Sequence, residues 1–511
     1  MLEIPLDFIQ ACTNLRVLRL QSMSMKKVPQ SVRHCEKLHR LDLSSNRITD
    51  LKDAGLDHIP GLRSLKLQNN GMEKLPWYFP KLKSLRELNI SNNKFKELPD
   101  VVCKLPSLMD LDISFNLITH LPEEIGYLEN LERLITVGNQ VSRFPHGARG
   151  LKKLRLLDCR RNMISDLTTV CLLPTVETIM ADHNTVHALD LSFGPSLQSL
   201  DASRNDITQL TLLPGPLGAQ PFAMVTLDIS HAKLSSLDEL ALAQLTSLRT
   251  LKVDHNAIRT LPDSIGELAE LRHLSCSNNQ LYTLPETISK LQNLVTLEAH
   301  NNSLEELPLT IWECAKLEVI NFTSNLFGHI SSPATLDVTT SSPSASISMS
   351  PGTSLLPNGY MERKASSASS LGRGIPALAF SLKRLYLGEN RLTEDHLHPL
   401  TLLRELRVLN LSFNHIQVIP NAFLKNLTHL EELYLSGNSL TALPTEDLPS
   451  LSSLRVLYLN GNKLQSLPQE LGKIPALQVL DVGSNVLKYN INNWEFDWNW
   501  YVTTLVRANQ G

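Results

Sequence analysis

From Leu15 to Asn485 the chain spaces its aliphatic residues in one recurring phrase, LxxLxLxxN. It reads LHRLDLSSNRI from Leu38, LRELNISNNKF from Leu85, LRTLKVDHNAI from Leu248 and LRVLYLNGNKL from Leu454. Aligned on this phrase the sequence holds 19 copies, mostly 23 or 24 residues apart. Asparagine closes 17 of them, with Met23 and Ala232 in its place in the other two. Residues two apart on a strand share a face, so Leu41 and Leu43, or Leu88 and Ile90, are predicted to point into a core while their neighbours face outward. One short strand per copy then stacks into a parallel sheet. The asparagine closes the turn leaving the strand, because its amide offers donors and an acceptor to backbone groups that the bend buries. In 11 copies a proline follows six places after the asparagine position, as at Pro99 and Pro285. Leu-Pro predicts an extended segment there, ahead of a short helical turn.

This pattern resembles the leucine-rich repeat of the intracellular LPxxI kind. The fold class it implies is α/β: a solenoid curved like a horseshoe, with a parallel concave sheet and irregular or 3-10 turns on the convex side, about 19 repeats in all. Residues 1–327 read as an N-terminal array and 381–488 as a C-terminal one. Between them, 328–380 is dense in serine and proline, cannot bury a core, and is expected to be a disordered insertion. Its Arg363-Lys364-Ala365-Ser366 makes Ser366 a phosphorylation candidate. The spacing also falters between Asn162 and Ala232, where Leu-Pro is missing. A change of curvature is expected there, with a lengthened outer loop at 212–223. Residues 489–511 follow the last repeat, and Trp494, Phe496, Trp498 and Trp500 read as a cap over its exposed core.

Composition narrows the function. A net charge of −3 and 19% charged residues select neither nucleic acid nor membrane as partner, and 18 apolar residues never run in succession. Seven cysteines without a CxxC pair favour a reducing, intracellular compartment. Cys12, Cys35, Cys159, Cys276 and Cys314 fall on apolar columns of the repeat and are expected to be buried packing thiols. No phosphate-cradling loop, zinc-protease motif or nucleophile elbow is present, so no catalytic, cofactor or metal residue is assigned. The outward strand columns are the remaining candidates. Tyr386, Tyr434 and Tyr458 share one column with Phe413 nearby, an aromatic stripe of the kind that anchors protein partners. Mid-array, Asp112, Asp158 and Asp201 belong to an acidic face that Arg133, Arg160 and Arg161 interrupt.

Past the last copy, Tyr489-Asn490-Ile491 and Asp497-Trp498-Asn499-Trp500, behind a long LPxxI array with a serine-rich insertion, resemble the repeat region of the fungal, Ras-responsive adenylate cyclases. The resemblance implies that the array binds a Ras-type small GTPase. It also implies that ATP and Mg²⁺ are used only by a cyclase domain, which is expected to be absent from this chain, since residues 501–511 lose the resemblance. The chain itself is then expected to be catalytically silent. It would be cytoplasmic, held at the plasma membrane through Ras, with no membrane insertion and no nucleic-acid partner. A rival reading is a free-standing intracellular leucine-rich scaffold, similar to the Ras-suppressor adaptors or to the array of a repeat-containing phosphatase.

Overall fold

The computed structural model describes residues 4–191, 196–212, 223–238, 240–333 and 375–488. The chain divides into two compact units, one of residues 1–304 with 319–325, the other of residues 305–318 with 326–511. Each is built from the same element. In the first, three-residue strands run from Val17–Arg19 to Val319–Asn321; in the second, from Arg384–Tyr386 to Val479–Asp481. The main-sheet strands number 19 among the described residues, one for each copy of the phrase, and neighbours within a unit pair in parallel.

The register puts like on like. Leu41 lies opposite Leu65, Leu65 opposite Leu88, and Leu88 opposite Leu111, so each inward leucine packs on its equivalents in the flanking copies. Leu41, Leu43, Leu88 and Ile90 are all buried, as the alternation requires. Aliphatic stacking of this sort removes from water an apolar face that no single copy could bury alone.

Every asparagine in the repeated position bonds across copies. Asn139 is typical: its Nδ2 donates to the Thr136 carbonyl of its own turn (3.1 Å) and to Ile113 of the preceding copy (3.0 Å), while Oδ1 accepts from Ile118 N at 3.0 Å. The amide therefore staples neighbouring copies as well as closing its own turn.

The residue just before the asparagine position shows a feature absent from the sequence reading. In all 19 copies it is left-handed, with φ between +48° and +69°. The chain reverses there so that the next side chain can reach back to the carbonyls behind it. Because the side chain at this position points away from the core, its polarity is free, and serine, asparagine, histidine, arginine, phenylalanine, glutamate and glycine all occupy it, while the positive φ leaves out β-branched residues. Each L-residue there gives up about 1–2 kcal/mol of backbone preference.

On the outer side Leu-Pro does what its chemistry dictates. Pro122 holds φ −73° and ψ 156°, and the 3-10 turn Glu123–Tyr127 follows directly, with Ile125 N bonded to the Pro122 carbonyl at 3.1 Å. Pro145, Pro262, Pro285 and Pro468 precede equivalent turns. In the two copies that follow Asn184 and Asn205, which lack Leu-Pro, the outer segment becomes sheet, whereas the copy of Asn162 keeps a helical turn, Thr168–Cys171. Ala188–Asp190 and Gln209–Thr211 form a second, two-stranded parallel sheet, and Leu212 bridges to Leu240 beyond it. Leu189 and Leu210 bury the inner side of this pair.

The cysteines need one correction. All seven are free thiols, and Cys35, Cys103, Cys159, Cys171, Cys276 and Cys314 are buried. Cys12 is only half-buried: it ends the helix Leu6–Ala11 at the first described copy, where a neighbouring copy flanks its column on one side alone. Most of the 212–223 loop and of the 328–380 insertion, with Ser366, lies outside the described residues. So does the whole tract of Trp494, Phe496, Trp498 and Trp500.

Candidate interaction surface

The outward strand positions of the second unit carry the aromatic residues. Tyr434 and Tyr458 face each other across adjacent strands and stack, with ring centroids 5.2 Å apart and planes 8° from parallel. The Tyr434 hydroxyl donates to Glu432 Oε2 at 2.7 Å, which fixes the ring's far end. Burial of the ring, and then the Glu432 carboxylate, push the phenol's pKa well above its usual value, so it stays a neutral donor. Tyr386 belongs to the same column but is separated from Tyr434 by Asn410. Phe413 occupies the left-handed position and is 58% exposed. Its ring lies over Gly437 of the next copy, where a Cβ would come within 2.3 Å of it. Glycine there is what leaves room for the phenylalanine ring.

The charged candidates of the first unit separate into distinct clusters. Asp158 is buried and takes a bidentate grip on Arg160, Nε to Oδ1 at 2.8 Å and Nη2 to Oδ2 at 2.7 Å. That pairing, chiefly its hydrogen bonds, raises the guanidinium's pKa further. Arg160 also approaches Asp182 at 3.8 Å, and Asp182 holds His183 Nδ1 at 2.7 Å. A second cluster pairs Arg133 with Asp110 at 3.4 Å. Asp112 and Asp201 turn their carboxylates to local groups: Asp112 accepts from Ser114 N and from Asn89 Nδ2, each at 3.0 Å, and Asp201 from Ser203 N at 3.0 Å. Arg161 is exposed in the left-handed column. The acidic face is thus largely neutralised from within. Among the described residues no three histidine, cysteine, aspartate or glutamate side chains are placed to hold a metal ion. No helix there is long and apolar enough to cross a membrane.

Comparison with known proteins agrees with this architecture. The leucine-rich repeat family matches residues 13–72 and, in overlapping stretches, 380–487; a leucine-rich repeat region profile matches 52–261, and a single-repeat profile 270–291. An adenylate cyclase of Mycosarcoma maydis is 44% identical over 366 residues, which is 68% of this chain and 14% of that protein. That of Schizosaccharomyces pombe is 30% identical over 281 residues, 55% of this chain and 16% of that one. The chain is a leucine-rich repeat array of the kind carried by fungal adenylate cyclases. It spans less than a fifth of the length of either relative. Among solved structures, a leucine-rich repeat protein of Leptospira interrogans superposes with a TM-score of 0.51 at 23% identity, over 95% of this chain and 94% of that one. A plant peptide hormone receptor, in complex with RGF2, gives 0.57 at 20% identity, over 94% and 84%. These two share the fold.

The leucine-rich repeat array also displays residues that the search for motifs passed over. Arg16, His39, Arg40, Arg63 and Arg86 line a groove of about 480 Å³ at the first copies. Each arginine is one residue in a 23- or 24-residue period, so no local window contains two copies of the row. Reading down the column of residues immediately ahead of each strand would have found it.

Proposed function

We propose that this array is a non-catalytic binding surface that engages a Ras-type small GTPase and relays its state to an adenylate cyclase domain forming cAMP from ATP with Mg²⁺. The stacked Tyr434–Tyr458 pair, with Phe413 exposed on the preceding copy, is the observation that carries this reading. Half-exposed aromatic rings held rigid by stacking and by the Glu432 bond lose little freedom on binding, which is why such groups dominate the energetics of protein interfaces. The likeness to the Mycosarcoma maydis and Schizosaccharomyces pombe adenylate cyclases supports the choice of the reaction served. The array works in the cytoplasm, at the membrane surface where Ras is held.

The test is retention of the chain on immobilised Ras loaded with GTP or with GDP. Preferential retention on the GTP form is expected, with Tyr434→Ala/Tyr458→Ala weakening it at least tenfold at unchanged thermal stability. Equal retention on both nucleotide forms, or retention indifferent to the two tyrosines, refutes the proposal. Incubated alone with ATP and Mg²⁺, the chain should form no cAMP.

A further inference from the structure

Arg16, His39, Arg63 and Arg86 occupy one position in four successive copies, immediately ahead of the strand, and Arg40 opens the strand that follows His39. The main chain fixes where they stand. The carbonyl of each of the four accepts two amide hydrogens from the next copy, for instance Arg63 N at 2.8 Å and Ser64 N at 3.0 Å on the His39 carbonyl. The side chains of Arg16, Arg40, Arg63 and Arg86 are exposed on the groove. None has a carboxylate within 4.0 Å among the described residues.

The two carboxylates that share the groove are already engaged outside this row. Glu87 accepts from Ser64 Oγ at 2.7 Å and pairs with Lys66 at 3.4 Å, while Asp110 pairs with Arg133 at 3.4 Å. Farther along, the column pairs with itself at Arg155 with Glu177, Lys383 with Glu318 and Arg407 with Glu431, and Arg249 and Arg272 stand as two cations alone between Val225 and Val295. The first four copies therefore hold four uncompensated guanidinium groups along one groove.

We propose that this groove docks an extended acidic segment of a partner protein. Strands about 4.8 Å apart put roughly 14 Å between Arg16 and Arg86, a length that an extended chain covers in four or five residues. Alternate side chains of such a segment face the same way about 6.8 Å apart, so two or three carboxylates meet the four guanidiniums, which bind carboxylates in a bidentate fork. A single small anion contacts only one or two of them. The groove lies in the first unit, and the inference stands independently of the aromatic group and its GTPase.

The experiment is fluorescence anisotropy of a rhodamine-labelled hexaglutamate peptide titrated with the full chain in dilute buffer. Binding is expected, weakening steeply as salt is added. Arg40→Glu/Arg63→Glu should reduce affinity at least tenfold with an unchanged melting temperature, both side chains being exposed. The control pair Arg249→Glu/Arg272→Glu, the same column at two other copies, should stay within twofold. No binding, or an equal loss in both double variants, overturns the proposal. So does capture of phosphatidylserine vesicles that excludes the peptide and is lost in the first variant, since the groove would then serve a lipid headgroup.

Discussion

Asn139 shows how much one side chain does in this fold. Removing its amide leaves the Ile118 amide hydrogen and the Ile113 and Thr136 carbonyls without their partner in a buried turn. Asn139→Ala is expected to lower stability by about 1–3 kcal/mol, the range for leaving buried polar groups unsatisfied, as read from a shift in urea midpoint at constant slope. Thiol chemistry gives a second prediction. Burial pushes Cys103, Cys171 and Cys314 up to about 12 and raises Cys35, Cys159 and Cys276 as well, so none of the six presents a thiolate near neutral pH. An aromatic disulfide reagent at pH 8 should titrate a single thiol, Cys12, in the folded chain and all seven in denaturant. A third concerns His231, whose ring stacks on His255 at 3.9 Å in the left-handed column. Burial, then the neighbouring His255 and Arg204, lower its pKa, so the folded state takes up a proton later than the unfolded chain as pH falls. Stability contributed here is full above about pH 6.5, the unfolded value, and declines below it. His231→Gln should flatten the fall in urea midpoint between pH 7.5 and 5.5; an unchanged pH slope would discount this histidine.

Elements, rather than residues, decide how the outer side packs. The turns Glu123–Tyr127 and His146–Gly150 meet backbone to backbone: a Cβ on Gly126 would sit 2.0 Å from the Gly147 carbonyl oxygen, and one on Gly147 equally close to that of Glu123. Gly147→Ala must pry the two turns apart and should lower stability by about 1–3 kcal/mol, the overpacking range. Gly328→Ala, with nothing within 4 Å of its Cβ, should change it by no more than about 0.5 kcal/mol. The contrast is measured by thermal melts of the two variants side by side. Elements also mark how far the sequence could be read. Leu41, Leu43 and the asparagines repeat at fixed spacing under a strict burial requirement, so strands, turns and inward faces were all legible. The outer sheet of Ala188–Asp190 and Gln209–Thr211 was not, because ALD and QLT carry no signal beyond the loss of Leu-Pro. Nor was the left-handed position, whose exposed side chains follow no rule of polarity. At the surface, the column shared by Tyr386, Tyr434 and Tyr458 was visible, but its stacking was not. Asp158 and Arg160, two residues apart, looked like exposed charges and are instead locked together over a buried carboxylate.

A stack of copies is as strong as the contacts between neighbours, since each copy touches little else. In the first unit the asparagine ladder, which starts at Asn46 because Met23 stands in the copy before, misses one later rung, at Ala232, which comes 27 residues after Asn205 instead of the usual 23 or 24. The extra length is absorbed outside the strands. Leu200 still pairs with Leu227, and Lys233 N still reaches the Ile207 carbonyl at 2.9 Å, the same bond that Arg47 N makes to Met25 at 2.8 Å. An asparagine at 232 would therefore find the carbonyls of Ala202, Ile229 and Ser230 where Asn46 finds those of Leu20, Leu43 and Ser44, and would accept from Ile207 N as Asn46 accepts from Met25 N. Ala232→Asn should accordingly stabilise the unit by about 1 kcal/mol, the net worth of a made hydrogen bond. The urea midpoint reads the total, and amide hydrogen exchange reads the place: protection should rise at Ile207 and along Thr226–Asp228, and leave distant strands such as Thr296–Glu298 as they were. A lower midpoint, or unchanged exchange at Ile207, would mean that leucine stacking alone couples the copies here, with the amide ladder a consequence of the turn and not a source of cohesion.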